Sequence, residues 1–228
     1  MQKTEEYYDE SYFKAQQQVG IDNVGLINHF FEPHIQNSDS VLEFGCGGGY
    51  LLASINCAKR LGFDVNPSAL ESARQLGVET TDDLDSIEDE SFDIVISNSA
   101  LEHTPTPYED LCRLRSKLKA NGKLVIRVPH ETLGWRYKPN DWNYHLYTWS
   151  PMAIGNLCNE AGFDVETVII DKSKRPPFFK YLKHVPPLNK LLSRVYRLAR
   201  LSIEEFGMKT IAIDGNCIVV AKKRANCD

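Results

Sequence analysis

The run Val41-Leu42-Glu43-Phe44-Gly45-Cys46-Gly47-Gly48-Gly49 constrains this chain more than any other segment. An apolar strand-like stretch enters a glycine turn, and residues 50–58 then carry a helical pattern. Glycines in such a turn permit positive φ and let the backbone approach a ligand closely. In a doubly wound sheet this turn caps the first strand at its carboxyl end, beside the switch point where ligands bind.

The pattern repeats along the chain. Strand signals fall at 40–44, 60–65, 77–81, 92–97, 123–128, 163–170 and 216–221. Helical signals lie between them at 50–58, 67–76, 108–118 and 151–161, and a further helix is predicted over 21–36, stopped near Pro33. This predicts an α/β fold with a doubly wound, seven-stranded, mostly parallel sheet. The segment 81–91 holds six acidic residues and reads as a solvated loop. Residues 1–36 are expected to form a helical cap or lid, with the main domain over 37–228. That domain is expected to carry an aromatic loop at 129–150 and a basic helical insertion at 172–206.

Composition narrows the function classes. The chain has 228 residues, 26 Lys and Arg against 31 Asp and Glu, so a dedicated nucleic-acid binder is not expected. No apolar run is long enough to span a bilayer, and the polar N-terminus reads as no signal peptide. Six cysteines without metal-site spacing suit a reduced, cytoplasmic protein. Cys46 fits the glycine turn as a small packing residue.

The strand, glycine turn and helix, with Asp64 ending the second strand, point to a nucleoside-containing cofactor whose ribose hydroxyls Asp64 would bind. A dinucleotide fingerprint requires G-x-G-x-x-G, and Tyr50 stands at the third glycine's place. Glu43 would repel a pyrophosphate and suits a cationic amine or sulfonium.

The segment 41–49 resembles motif I of the class I S-adenosylmethionine-dependent methyltransferases. Residues 61–67, 91–103 and 118–124 resemble the family's second-strand, fourth-strand and fifth-strand motifs, in order, so the likeness covers about residues 38–170. It implies S-adenosylmethionine as cofactor. Gly45, Cys46, Gly47 and Gly49 would then shape the methionine side, and Glu43 would meet the amino end. Asp64 would bind the ribose, Val65 and Asn66 would lie near the adenine, and Asn98 beneath the sulfonium. Asp82 would take the adenine amine, with Asp83 or Leu84 as alternatives.

A hydroxyl acceptor needs a base, and His103 leads, with His145 and His130 as further candidates. A structural His103 capping the next helix is the competing reading. Glu102-His103 resembles part of the E-x-x-E-H element of ubiquinone-pathway O-methyltransferases, which is associated with a divalent metal, but Ser99 replaces the first acid and no metal is expected. Trp135, Tyr137, Trp142 and Tyr144, with Asn140, Asp141 and Asn143, could stack on a sugar or form a minicore under a long loop. The segment 145–151 and its downstream residues resemble methyltransferases of bacterial surface-polysaccharide gene clusters, which implies O-methylation of a glycan or nucleotide-sugar. A C- or N-methyltransferase on a small metabolite and a non-catalytic cofactor binder are the rivals. The basic insertion reads as a packed helix with a lid-like start, or as a peripheral membrane contact through 172–200. A monomer or homodimer is expected.

Overall fold

The computed structural model describes residues 20, 24, 25, 27–130, 137, 143–171 and 215–225. Its seven strands are β1 Ser40–Phe44, β2 Lys59–Phe63, β3 Glu79–Thr81, β4 Phe92–Asn98, β5 Leu118–His130, β6 Phe163–Asp171 and β7 Gly215–Lys223. They form one sheet in the order β3-β2-β1-β4-β5-β7-β6. The first five are parallel, and β7 inserts antiparallel between β5 and β6. The chain leaves β1 toward β2 and β3, then crosses back to β4. The switch point therefore lies between the carboxyl ends of β1 and β4, where the glycine turn sits.

Among the described residues, four complete helices flank the sheet: α1 Tyr50–Ser54, α2 Pro67–Gln75, α3 Pro107–Lys117 and α4 Pro151–Glu160. The last three begin with proline, whose missing N–H costs nothing there. Asn66 caps α2, accepting from the N–H groups of Ser68 at 2.9 Å and Ala69 at 3.3 Å. α1 is shorter than its pattern predicts, because the chain turns extended at Ile55 to reach β2.

Two apolar layers follow from the strand alternation. One face packs Leu42, Val95, Leu124 and Ile126 against Leu111, Leu114, Ile154 and Cys158 of α3 and α4. The other packs Val41, Ile94, Ile96 and Val125 against α1, α2 and Ile27 and Phe31. The expected helix at 21–36 is, over its described C-terminal half, two 3-10 turns, Asn28–Phe30 and Glu32–His34, with Pro33 inside the second. Phe31 is fully enclosed, worth about 1.5–3 kcal/mol of burial, so this stretch is built into the core.

Several boundaries differ from expectation; β2, for instance, ends at Phe63, so Asp64 follows the strand instead of lying within it. β3 starts at Glu79, since Gly77 at φ +79° still belongs to the turn after α2. β5 begins at Leu118, irregularly, with Asn121 at φ +63°, and continues to His130, so the aromatic loop starts only after it. The acidic segment 81–91 is a loop, but Leu84 and Ile87 plug the core beneath it. Its Asp85, Asp89 and Glu90 pair with Arg113, Lys117 and Lys223. The insertion at 172–206 lies outside the described residues.

Candidate functional site

The glycine turn is held to the end of β2 by backbone bonds. Gly45 and Cys46 donate to the Phe63 carbonyl at 2.8 and 2.9 Å. Gly47 donates to Asp64 Oδ2 at 2.8 Å, and Asp64 Oδ1 accepts from Asn66 N–H at 2.9 Å. Gly45, Gly47 and Gly49 all have positive φ. A Cβ on Gly45 would stand 2.3 Å from that of Ala100, and one on Gly49 would stand 2.7 Å from that of Ala73. A Cβ on Gly47 would meet nothing within 4 Å. Gly45 and Gly49 thus serve packing, while Gly47 keeps backbone bare toward open space. Cys46 turns inward: a Cβ on Gly62 would lie 2.6 Å from its sulfur, and burial pushes the thiol pKa up. That Gly62 is the partner of Cys46 was not legible from sequence, because the two are brought together only by the pairing of β1 with β2.

Glu43 is buried beneath this turn. It accepts the backbone N–H of Leu52 in the first turn of α1, while its Oε2 is enclosed with no hydrogen bond. Burial, and then the nearby Asp64 charge, raise its pKa well above the ordinary carboxylate range. Burial also raises Asp64, against the backbone N–H bonds it accepts. Its two oxygens accept from the N–H groups of Gly47, Asn66 and Val65, which leaves one lone pair for a ligand hydroxyl. A buried acid with an unused oxygen, a bare glycine and a strand-end carboxylate suit an amine-bearing nucleoside.

The other predicted cofactor residues divide. Val65 is 55% exposed beside the turn, and Asp82 is exposed immediately after β3. Leu84 is spent in the core. The Asn66 side chain, expected near an adenine, is buried as the α2 cap, because the helix needs that acceptor. Asn98 is the last residue of β4, and its Oδ1 accepts from Arg127 Nη1 at 3.0 Å.

Beyond β4, Ser99 at φ +55° turns the chain into the 3-10 turn Leu101–His103. Glu102 is fully buried there, and its carbonyl accepts from Leu146 N–H at 2.8 Å and Tyr147 N–H at 3.2 Å. These bonds bring His145 to His103, edge to face, with ring centroids 4.9 Å apart. One ligand atom from each of Glu102, His103 and His145 lies within 4.8 Å of the others. Burial first, then His145, lower the His103 pKa to about 4, against a hydrogen bond to the Tyr144 backbone. His103 is therefore neutral near pH 7 and able to accept a proton.

His130 is placed differently from the other two. Its Nδ1 bonds the Trp149 carbonyl at 2.7 Å, so one ring nitrogen is committed to pinning the loop. Trp149 is buried in the core and stacks on Tyr147, so this end of the aromatic loop is a minicore. Tyr137 is 91% exposed, whereas Trp135, Asn140, Asp141 and Trp142 lie outside the described residues. Arg127 is the site residue that sequence reasoning missed. Its signal was a lone charge in the apolar strand Leu124-Val125-Ile126-Arg127-Val128.

Comparison with known proteins gives one family match: residues 17–168 fit the model of a methyltransferase domain. An uncharacterized methyltransferase of Schizosaccharomyces pombe is 36% identical over 77 residues, covering 30% of this chain and 30% of that protein. The aligned part is thus under a third of that relative. A structure titled as a SAM-dependent methyltransferase, possible histamine N-methyltransferase, from Thermotoga maritima aligns with TM-score 0.63 at 15% identity, covering 93% of this chain and 94% of that one. The cyclase SpnF aligns with TM-score 0.61 at 19% identity, covering 92% and 84%. At such identities these likenesses speak for the fold alone.

Proposed function

Because the chain belongs to the methyltransferase-domain family and uses S-adenosylmethionine as its cofactor, we propose that it methylates a hydroxyl on a sugar, glycan or nucleotide-sugar acceptor. When bound, S-adenosylmethionine supplies an electrophilic methyl group on a sulfonium. Glu43 would hold the amino end, Gly47 would let the methionine portion lie against bare backbone, and Asp64 would take the ribose hydroxyls. Val65 would cover the adenine, and Asp82 would accept from its amine. Asn98 would border the reacting centre.

The single observation that carries the O-methyl reading is the neutral His103 imidazole, set against His145 and buried Glu102 just past β4. His103 would receive the proton of the acceptor hydroxyl as that oxygen is methylated. Such a base contributes about 10²-fold or more. His145 would pack edge to face against the ring, and Glu102, whose Oε1 lies 3.9 Å from His103 Nε2, would offset the charge it gains. The family resemblance of the segment around His145 favours a glycan-type acceptor. Five described cysteines are free thiols, which suits a cytoplasmic setting. No helix among the described residues is long and apolar enough to cross a membrane.

The test is methyl transfer from labelled S-adenosylmethionine to a panel of sugars, nucleotide-sugars, oligosaccharides and small amines, with wild type and His103→Ala. Methylation of a hydroxyl, slowed about 10²-fold or more in the variant, is expected. An undiminished variant rate, or transfer to nitrogen or carbon, overturns the O-methyl reading. Tight S-adenosylhomocysteine binding without turnover on any acceptor identifies a cofactor-binding protein instead. Chelation by EDTA is expected to leave the rate within about twofold. A larger loss restored by a divalent cation would assign Glu102, His103 and His145 to a metal.

A further inference from the structure

We propose that Arg127 is an anion-binding residue of the acceptor site, taking a carboxylate or phosphate group carried by the acceptor. The location of this subsite beside an acceptor rests on the methyl-transfer reading; the anion preference rests on Arg127 itself.

Strand alternation sets the face. Val125 belongs to the core layer that also holds Val41, Ile94 and Ile96, so Arg127, two residues on, shares that face with Glu43 and Asn98. In the register Asn98 stands beside Arg127, past the row where Glu43 meets Ile96. Arg127 therefore sits at the carboxyl edge of the sheet, on the side of Glu43 and α1. Its carbonyl also accepts the Ser99 N–H at 2.8 Å, so the turn that carries His103 starts from the same point.

The side chain is far better enclosed than it is paired. Nη1 donates to Asn98 Oδ1 at 3.0 Å, and the guanidinium stands 5.9 Å from the Phe30 ring centroid. Nε is buried without a hydrogen-bond partner. Glu102 and Asp171 act on Arg127 through their fields, and neither forms an ion pair with it. A half-buried guanidinium that lacks a contacting carboxylate costs stability in a fold that an aliphatic side chain would serve better. A guanidinium presents a planar fork of donors that matches the oxygens of a carboxylate or phosphate. An anionic acceptor group would engage the guanidinium donors that Asn98 leaves uncommitted and leave an adjoining hydroxyl on the His103 side.

The experiment is NMR observation of the Arg127 Nε–H in the full wild-type chain, assigned by through-bond correlation to its own backbone. Inorganic phosphate and acetate are titrated separately at constant ionic strength set by chloride, over about 0.1–50 mM, which spans Kd values of about 1 mM. A saturable shift of this resonance is expected; in Arg127→Lys, which lacks it, the side-chain amide of the neighbouring Asn98 is read in both proteins and is expected to respond at least tenfold more weakly in the variant. Response to phosphate alone identifies a phosphate-bearing acceptor, and response to acetate alone a carboxylate-bearing one. No saturable shift with either anion overturns the proposal. S-adenosylhomocysteine is titrated in parallel. If it binds and neither anion does, the subsite fails and methyl transfer stands. If an anion binds and S-adenosylhomocysteine does not, the methyl-acceptor assignment falls while the anion site remains.

Discussion

At the scale of single residues, environment decides what each titratable group can do. The imidazole of His103 titrates near 4 because burial and His145 disfavour its charged form. As a base it must be deprotonated, so kcat/KM is expected to stay level between about pH 6 and 8 and to fall only below about pH 5. A pH–rate profile inflecting near the ordinary histidine value would remove His103 from the base role. The same displacement has a stability sign. The folded value lies below the unfolded one, so the stability it contributes is complete above about pH 6.5 and is lost as pH falls toward about 4. Asp64 joins two tasks, since it holds Gly47 N–H and is offered to the ribose. Asp64→Ala is expected to weaken S-adenosylhomocysteine binding by about 1 kcal/mol or more, roughly fivefold, by calorimetry. Unchanged affinity would refute the ribose assignment. These two residues were legible in the sequence because each ends or follows a strand. Asn66 was legible only as a neighbour, since its capping role depends on where α2 begins.

At the scale of elements, the glycine turn separates packing from ligand contact. Gly49 has φ +76° and no room beside Ala73, whereas Gly47 has φ +51° and open space around its Cβ position. Gly49→Ala is expected to cost about 2 kcal/mol or more of stability through backbone strain and overpacking. Gly47→Ala should cost about 1 kcal/mol, but its methyl would project toward the cofactor and lower affinity about tenfold or more. Thermal melting and calorimetry on both variants read this split. Equal affinity loss at matched stability would show that the turn acts only as a unit. The sequence pattern located this turn well because strand, glycines and helix are contiguous. It could not place β7 between β5 and β6, since that depends on a pairing far apart in sequence. It likewise missed that His130 pins the loop through Trp149, a contact spanning nineteen positions.

At the scale of the whole molecule, the site draws on the carboxyl ends of β1, β2, β3 and β4, which the chain reaches on both sides of the switch point. A ligand there ties the turn after β4 to α1 and α2, which already touch through Tyr50 and Ser72. The α/β alternation made this arrangement legible, because parallel strands joined by helices put their carboxyl ends on one edge. Arg127 escaped notice because a strand interior reads as core until its neighbours are known. Ligand binding only to the folded state raises stability by mass action. S-adenosylhomocysteine at about 100 times its Kd should therefore add about 2.7 kcal/mol, and raise Tm by about 5–10 °C for a domain of this size. NADH is expected to leave Tm unchanged, since Tyr50 stands where a dinucleotide turn needs glycine. The shift should also depend on pH. The buried Glu43 carboxyl has a raised pKa, so a cationic amine must displace its proton to gain a charged partner. Binding then releases protons, and the Tm gain grows with rising pH over the range in which the ligand amine stays protonated. A gain that shrinks over this range, or vanishes for S-adenosylhomocysteine while appearing for NADH, would remove Glu43 from the amino end of the cofactor.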